Sequence, residues 1–218
     1  MATVSAPTRT IGPDDAGRRM TLDEFVAADF VGGYLYELAR RVVVVTNIPG
    51  IHHGWIVQRV MRLFVGYEFA HPGRIVYQAA GSDCRIRLAG KHSDRHPDQA
   101  IYLSPPPEGP RAWHRWVPAI VVEVVSRRGE ERDYVQKRDE YLRFGVLEYW
   151  IFDPYRRTMT TLLRAGDVWD WQELKEDAVH RTELLPGLEV HVGAILGPPA
   201  DVGDEDDGDV EVEPPPAV

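Results

Sequence analysis

Three residues between His96 and Trp150 carry the chemistry open to this chain. They are Asp98 in His96-Pro97-Asp98, Glu123 inside the apolar run Ala119–Val125, and Lys137 in the charged segment Asp133–Tyr141. Two carboxylates and a lysine, one carboxylate lying within an apolar strand, are what magnesium-dependent hydrolysis of a phosphodiester needs. Magnesium takes oxygen ligands, keeps several waters, and binds through one or two carboxylates plus substrate phosphate. A nearby lysine steadies the attacking hydroxide or the pentacovalent phosphate.

Each residue has a plainer use against which that chemistry is weighed. Strand alternation turns Glu123 away from Val122 and Val124 and leaves Val121 and Val125 beside it. An unpaired buried carboxylate is costly, so Glu123 is either bound to metal or held in a structural ion pair with an arginine. Asp98 follows a proline at a strand start, where an Asp often serves a turn. Its weight comes from Glu123, because two adjacent strands can bring both acids to one magnesium. Lys137 shares a helix stripe with Tyr134 and Tyr141 that should face the sheet. It either reaches over the end of the Glu123 strand or snorkels to solvent along its stem, and spacing does not separate the two. Glu37 could complete a metal site, although an exposed hairpin acid is the commoner outcome. His52 and His53 precede a long helix, and one of them could cap it or contact phosphate. Gln136 could assist the site, and His96 is a weak candidate ligand because the loop beside it is polar. No phosphate-cradling GxxxxGK[ST], no HExxH and no GxSxG occurs.

Elements must position these groups. Thr21-Leu-Asp-Glu24 is a capping box that opens a short helix over 21–29. Residues 34–38 and 41–46 predict a hairpin, and apolar residues from Ile56 to Tyr67 predict a long helix over 53–70. Strands are expected over 74–78, 82–88, 96–103 and 117–126, with a polar loop over 91–95. A helix over 133–144 ends at Gly145, followed by a strand over 148–152 and a hairpin over 158–163 and 168–174. A short strand over 184–190 closes the pattern. This is a mixed α/β (α+β) layout with a central sheet between helices. Residues 1–19 read as a flexible N-terminus, 20–197 as a single domain, and 198–218 as a disordered acidic, proline-rich tail.

The net charge is −9, and the eight acids of 201–218, a segment without Lys or Arg, account for −8 of it, leaving −1 for residues 1–200. A near-neutral body with a local arginine patch can still bind a phosphate backbone. Lysine is scarce, at Lys91, Lys137 and Lys175 only. The single cysteine, Cys84, excludes an intrachain disulfide and a cysteine-based zinc site. No membrane span or signal peptide is legible, so a cytoplasmic location is expected.

The order of these motifs resembles the bacterial Uma-type restriction endonuclease family of the PD-(D/E)XK nuclease superfamily. The resemblance rests on His96-Pro-Asp98, Pro118–Ser126, Arg132–Tyr141 and Gly145–Pro154. It extends to Met20–Phe25, Tyr36-Glu-Leu38, His53–Val57 and Leu185–Leu188, and so covers about 20–195. It implies a restriction-endonuclease-like core with an added N-terminal helix and hairpin and a C-terminal hairpin. It further implies a Mg2+-dependent endonuclease acting on DNA, with Mn2+ as a substitute, and a homodimer as a plausible state. By position, Asp98 is the acid of the Pro-Asp motif, Glu123 the second acid and Glu37 the early acid. The superfamily's usual lysine would fall at Val125, and Lys137 is the natural stand-in. Two departures touch loops near the site. Arg127 and Arg128 follow the central strand, where they could improve phosphate contact. Leu38-Ala-Arg-Arg41 replaces the family's Asp-Gly turn. The alternative reading is a catalytically inactive nuclease-fold binding protein.

Overall fold

The apolar run around Glu123 becomes an inner strand of a six-stranded sheet. The computed structural model describes residues 9–81, 84–127 and 129–199, so Arg128 and the tail from 200 onward lie outside the described residues. The chain divides into two compact units, residues 9–48 with 86–95, and residues 49–85 with 96–199.

In the first unit β1 (Thr10–Ile11) pairs in parallel with β2 (Asp29–Phe30), and α1 (Leu22–Val26) lies between them in sequence. The capping box is present: Thr21 Oγ1 accepts from Glu24 N–H at 3.2 Å, and Glu24 accepts from Thr21 N–H at 2.7 Å. β3 (Tyr34–Ala39) and β4 (Val42–Asn47) form the expected hairpin. Leu38, Val43 and Val45 pack with Phe25, Leu22, Met20 and Ile11. The chain then passes through α2 (Ile51–Ala70) and β5 (Tyr77–Ala80) of the second unit. It returns for β6 (Ile86–Leu88) and β7 (Ser93–Arg95), completing a sheet ordered β4-β3-β7-β6. Two expectations change here. The segment 91–95, read as a polar loop, contains the wholly buried strand β7, whose charges are matched inside the unit: Asp94 meets Arg87 at 3.2 Å and Arg95 meets Glu37 at 3.1 Å. Within 1–19, read as flexible, the described part includes β1 and a fully buried Ile11.

The second unit holds β5, β8 (Gln99–Tyr102), β9 (Ile120–Val124), β10 (Glu148–Asp153), β11 (Thr158–Ala165) and β12 (Val168–Lys175), ordered β12-β11-β10-β9-β8-β5. β9 and β10 are parallel and joined through α3 (Arg138–Phe144); the other pairs are antiparallel, so the sheet is mixed. One face packs on α2: Ile56, Val60 and Phe64 lie against Ile120, Val122, Val124, Trp150 and Phe152. Phe64 stacks on Trp150 with centroids 5.6 Å apart. Burying such side chains stabilises by roughly 1.5–3 kcal/mol each. β13 (Val179–Arg181) and β14 (Glu189–His191) pair as a ribbon, and α4 (Val192–Leu196), which the sequence reading lacks, follows them. Among the described residues no helix is long and apolar enough to cross a membrane.

Candidate active site

Register builds the site. β8 and β9 set Gln99 opposite Val122 and Ala100 opposite Val121. Glu123, between Val122 and Val124, turns to the face away from α2, while Asp98 immediately precedes β8 beside the end of β9. Asp98 Oδ2 accepts from the Val124 N–H at 2.7 Å, which ties the Pro-Asp turn to the end of β9. α2 begins at Ile51, earlier than its periodicity predicts, so His52 and His53 lie in its first turn rather than before it. His53 brings Nε2 to 3.3 Å from Asp98 Oδ2 and 3.1 Å from the Val124 carbonyl oxygen. Both neighbours are acceptors, so Nε2 carries the proton.

This contact changes both groups. Burial works against charge on Asp98, but the positive His53, its hydrogen bond and the Val124 N–H outweigh burial and hold the carboxyl below its ordinary value of 3.8. Burial likewise works against protonated His53, yet the Asp98 charge and hydrogen bond raise it above 6.5. Asp98 keeps 20% of its side chain exposed and is the open edge of the site.

Glu123 is the closed side. Its Oε1 accepts from the Tyr141 hydroxyl at 2.7 Å, and Lys137 Nζ lies 2.9 Å from Oε2. The lysine is buried and does not run to solvent. Its Nζ also lies 3.1 Å from Asp133 Oδ1, which is itself buried. The stripe differs from the one spacing predicts. Residues Arg132–Lys137 wind as a π-helix before α3 begins. Asp133, Lys137 and Tyr141, spaced four residues apart, share the Glu123 side. Tyr134 instead donates to Asp153 Oδ2 at 3.2 Å, with Arg156 over its ring. The Tyr149 hydroxyl, donating to the Asp133 carbonyl at 2.9 Å, pins the π turn to β10. Cys84 is buried beside these groups, and burial together with the Glu123 and Asp98 charges raises its thiol well above the usual range, against Lys137. It fills space as a protonated thiol.

The remaining candidates fall elsewhere. Gln136 is half-buried on the π turn, outside the hydrogen bonds that join Asp98, Glu123 and Lys137. Arg127 is exposed in the turn after β9. His96 is half-buried beside Pro97. Glu37 belongs to the first unit, where Arg95 holds it. Asp133 and Tyr141 are the site members that sequence reasoning missed as polar partners. Asp133 sits in a run of alternating charges that reads as solvated surface, and Tyr141 read as an apolar helix residue.

A divalent ion would find hard oxygen donors here. Asp98 Oδ2 and the Val124 carbonyl both face the His53 nitrogen, and Glu123 directly precedes Val124 on β9. Among the described residues no group of three or more His, Cys, Asp or Glu side chains is arranged as a metal cage. Magnesium, which keeps most of its waters, does not require one. Lys137 and His53 are the positive groups that face the two carboxylates in this state.

Residues 22–193 match the Uma2 family, described as "Putative restriction endonuclease", and the chain belongs to that family. The fold is similar to the crystal structure of a "putative nuclease belonging to DUF820" from Anabaena variabilis ATCC 29413. The TM-score is 0.65 at 15% identity, over 81% of this chain and 97% of that one. No curated protein matches the chain.

Proposed function

We propose that the protein is a divalent-metal-dependent endonuclease that hydrolyses phosphodiester bonds of DNA. The observation that supports this reading is that Asp98 and Glu123 both lie at the end of β9, Asp98 Oδ2 accepting from Val124 N–H at 2.7 Å and the Lys137 ammonium lying 2.9 Å from Glu123. Asp98 and Glu123 would hold the ion, Mg2+ with Mn2+ as a substitute. When bound, the ion supplies a Lewis acid that polarises a phosphoryl oxygen and acidifies water. The protein's own groups do the rest. Lys137 offsets the negative charge that develops on the phosphate. Tyr141 and Asp133 hold Glu123 and Lys137 in register, and His53 with the Val124 N–H orients Asp98. Arg127, Arg128 and His53 are the groups assigned to substrate phosphate, with Gln136 assisting. Glu37 enters only as the family's early acid. Two copies would serve the two strands of a duplex, which a mass measurement in solution tests.

A second reading, an inactive nuclease-fold binding protein, is favoured by one observation: protein cations already face both acids, His53 at Asp98 and Lys137 at Glu123. Incubating supercoiled and single-stranded DNA with the protein in Mg2+, in Mn2+ and in EDTA, beside Asp98→Asn, separates the two. Cleavage that needs metal and vanishes in the variant supports the enzyme. An intact substrate in every arm leaves the binding protein.

A further inference from the structure

We propose that the outward face of α2 is the surface on which two copies of this chain pair, helix against helix and antiparallel. α2 turns Ile56, Val60, Phe64 and Tyr67 to the sheet. At 3.6 residues per turn the opposite side carries Ile51, Trp55, Met61, Arg62, Val65 and Phe69. All six are exposed, Phe69 by 83% and Trp55 by 50%. Arg62 is the stripe's only charge. Few charges, with Trp, Phe, Met and Arg, is the composition of an interface core. A whole aromatic side chain presents about 150–250 Å², so the stripe leaves roughly 500 Å² open on each copy. Two copies would cover roughly 1,000 Å², the threshold for a specific interface, and so form a reversible dimer.

Two glycines, Gly54 and Gly66, lie on the same outward side and are exposed. Glycine weakens a helix interior, and nothing within the chain asks for either one. Neither has a positive φ, and a Cβ built at either meets nothing within 4 Å. Their lack of a side chain matters only to something that approaches from outside. Placement identifies it as a second copy. Val60 is the midpoint of Ile51 and Phe69, of Gly54 and Gly66, and of Trp55 and Val65. Two antiparallel copies crossing at the level of Val60 therefore bring Ile51 of each level with Phe69 of the other. Trp55 and Gly66 stand about three turns apart and share one flank of the stripe, while Gly54 and Val65 share the other. A two-fold axis across the pair sets each flank against its own copy. Trp55 then lies over the gap at Gly66 of the second copy, and Val65 over the gap at Gly54. An isologous contact needs a surface that complements itself in this way, and a foreign partner does not. The inference gives the two-copy part of the proposed function its contact face and rests on that part alone, not on cleavage.

The test is the mass of the full chain in solution, by sedimentation from low to high micromolar concentration, in EDTA and without nucleic acid. The wild type is expected to pass from one chain mass to two. Gly66→Leu fills the gap that receives Trp55, and Phe69→Glu sets a charge against Ile51. Each should weaken the dimer at least about tenfold, as loss of a central contact does. At low concentration the thermal midpoint of Gly66→Leu is expected to stay or rise, because leucine is the better helix former. That reading separates loss of pairing from loss of fold. A wild type that stays a single chain, or folded variants that pair as tightly as the wild type, overturn the inference. Asp98→Asn should lose cleavage and keep the wild-type mass, so failure of the nuclease reading and failure of the pairing face are read apart.

Discussion

In the four-stranded sheet of the first unit, carboxylates are held by arginines: half-buried Glu37 by Arg95 and buried Asp94 by Arg87. In the six-stranded sheet of the second unit, the candidate site meets its carboxylates with a lysine and a histidine: Glu123 and Asp133 with Lys137, Asp98 with His53. The choice differs in physical terms. A guanidinium is a fixed, permanently charged fork and suits holding strands together; an ammonium is a compact point charge on a flexible stem, and an imidazole gains or loses its proton near neutrality. A chain with three lysines buries one at the acid its chemistry would need. The comparison separates charge that serves the fold from charge that serves a reaction.

The comparison can be broken most forcefully at Lys137. Lys137→Met leaves both Glu123 and Asp133 without the ammonium they share, and should destabilise by about 3–5 kcal/mol in urea unfolding. A cost near zero would make it an ordinary surface lysine. Arg95→Met should cost less, roughly 2–3 kcal/mol, because its partner Glu37 retains some solvent contact. Nucleic-acid cleavage per folded molecule should then be unchanged. A folded Arg95→Met protein without activity would dissolve the distinction between the two sheets.

Next in size is the pH dependence of the Asp98–His53 pair. Asp98 is lowered on folding, so its contribution is complete above its unfolded value of 3.8 and is lost as pH falls through the lower folded value. His53 is raised on folding, so its contribution is complete below 6.5 and is lost as pH rises through the higher folded value. Urea midpoints against pH should therefore form a plateau between these limits. His53→Asn should remove the decline on the alkaline side, and a wild-type-like decline in that variant would assign it to other groups. The smallest effect lies at the α1 cap, where Thr21→Ala should cost about 1 kcal/mol with no effect on cleavage.

The main elements were legible because their signals are local. The apolar β9 run and the 3.6-residue period of α2 each follow from neighbours in sequence. Glu123 stood out for the same reason, as an acid set where burial is costly, and Asp98 drew its weight from Glu123. What escaped depended on distant partners or unusual winding. Ser93–Arg95 looks like a loop until Arg87 and Glu37 are there to neutralise it. Asp133, in the π turn, looks solvated until the buried Lys137 is there to pair with it. No composition shift marks the first unit, because the chain leaves it after residue 48 and re-enters at 86.

The central claim is that Glu123 works in the reaction as well as in the ion pair, and single-turnover cleavage of a labelled duplex by Glu123→Gln in Mg2+ tests it most directly. The isosteric amide still fills the site and can accept from Tyr141. The account predicts a rate lower by at least about 100–1,000-fold, with duplex affinity in EDTA unchanged. Cleavage at the wild-type rate would contradict it and leave Glu123 a structural partner of Lys137.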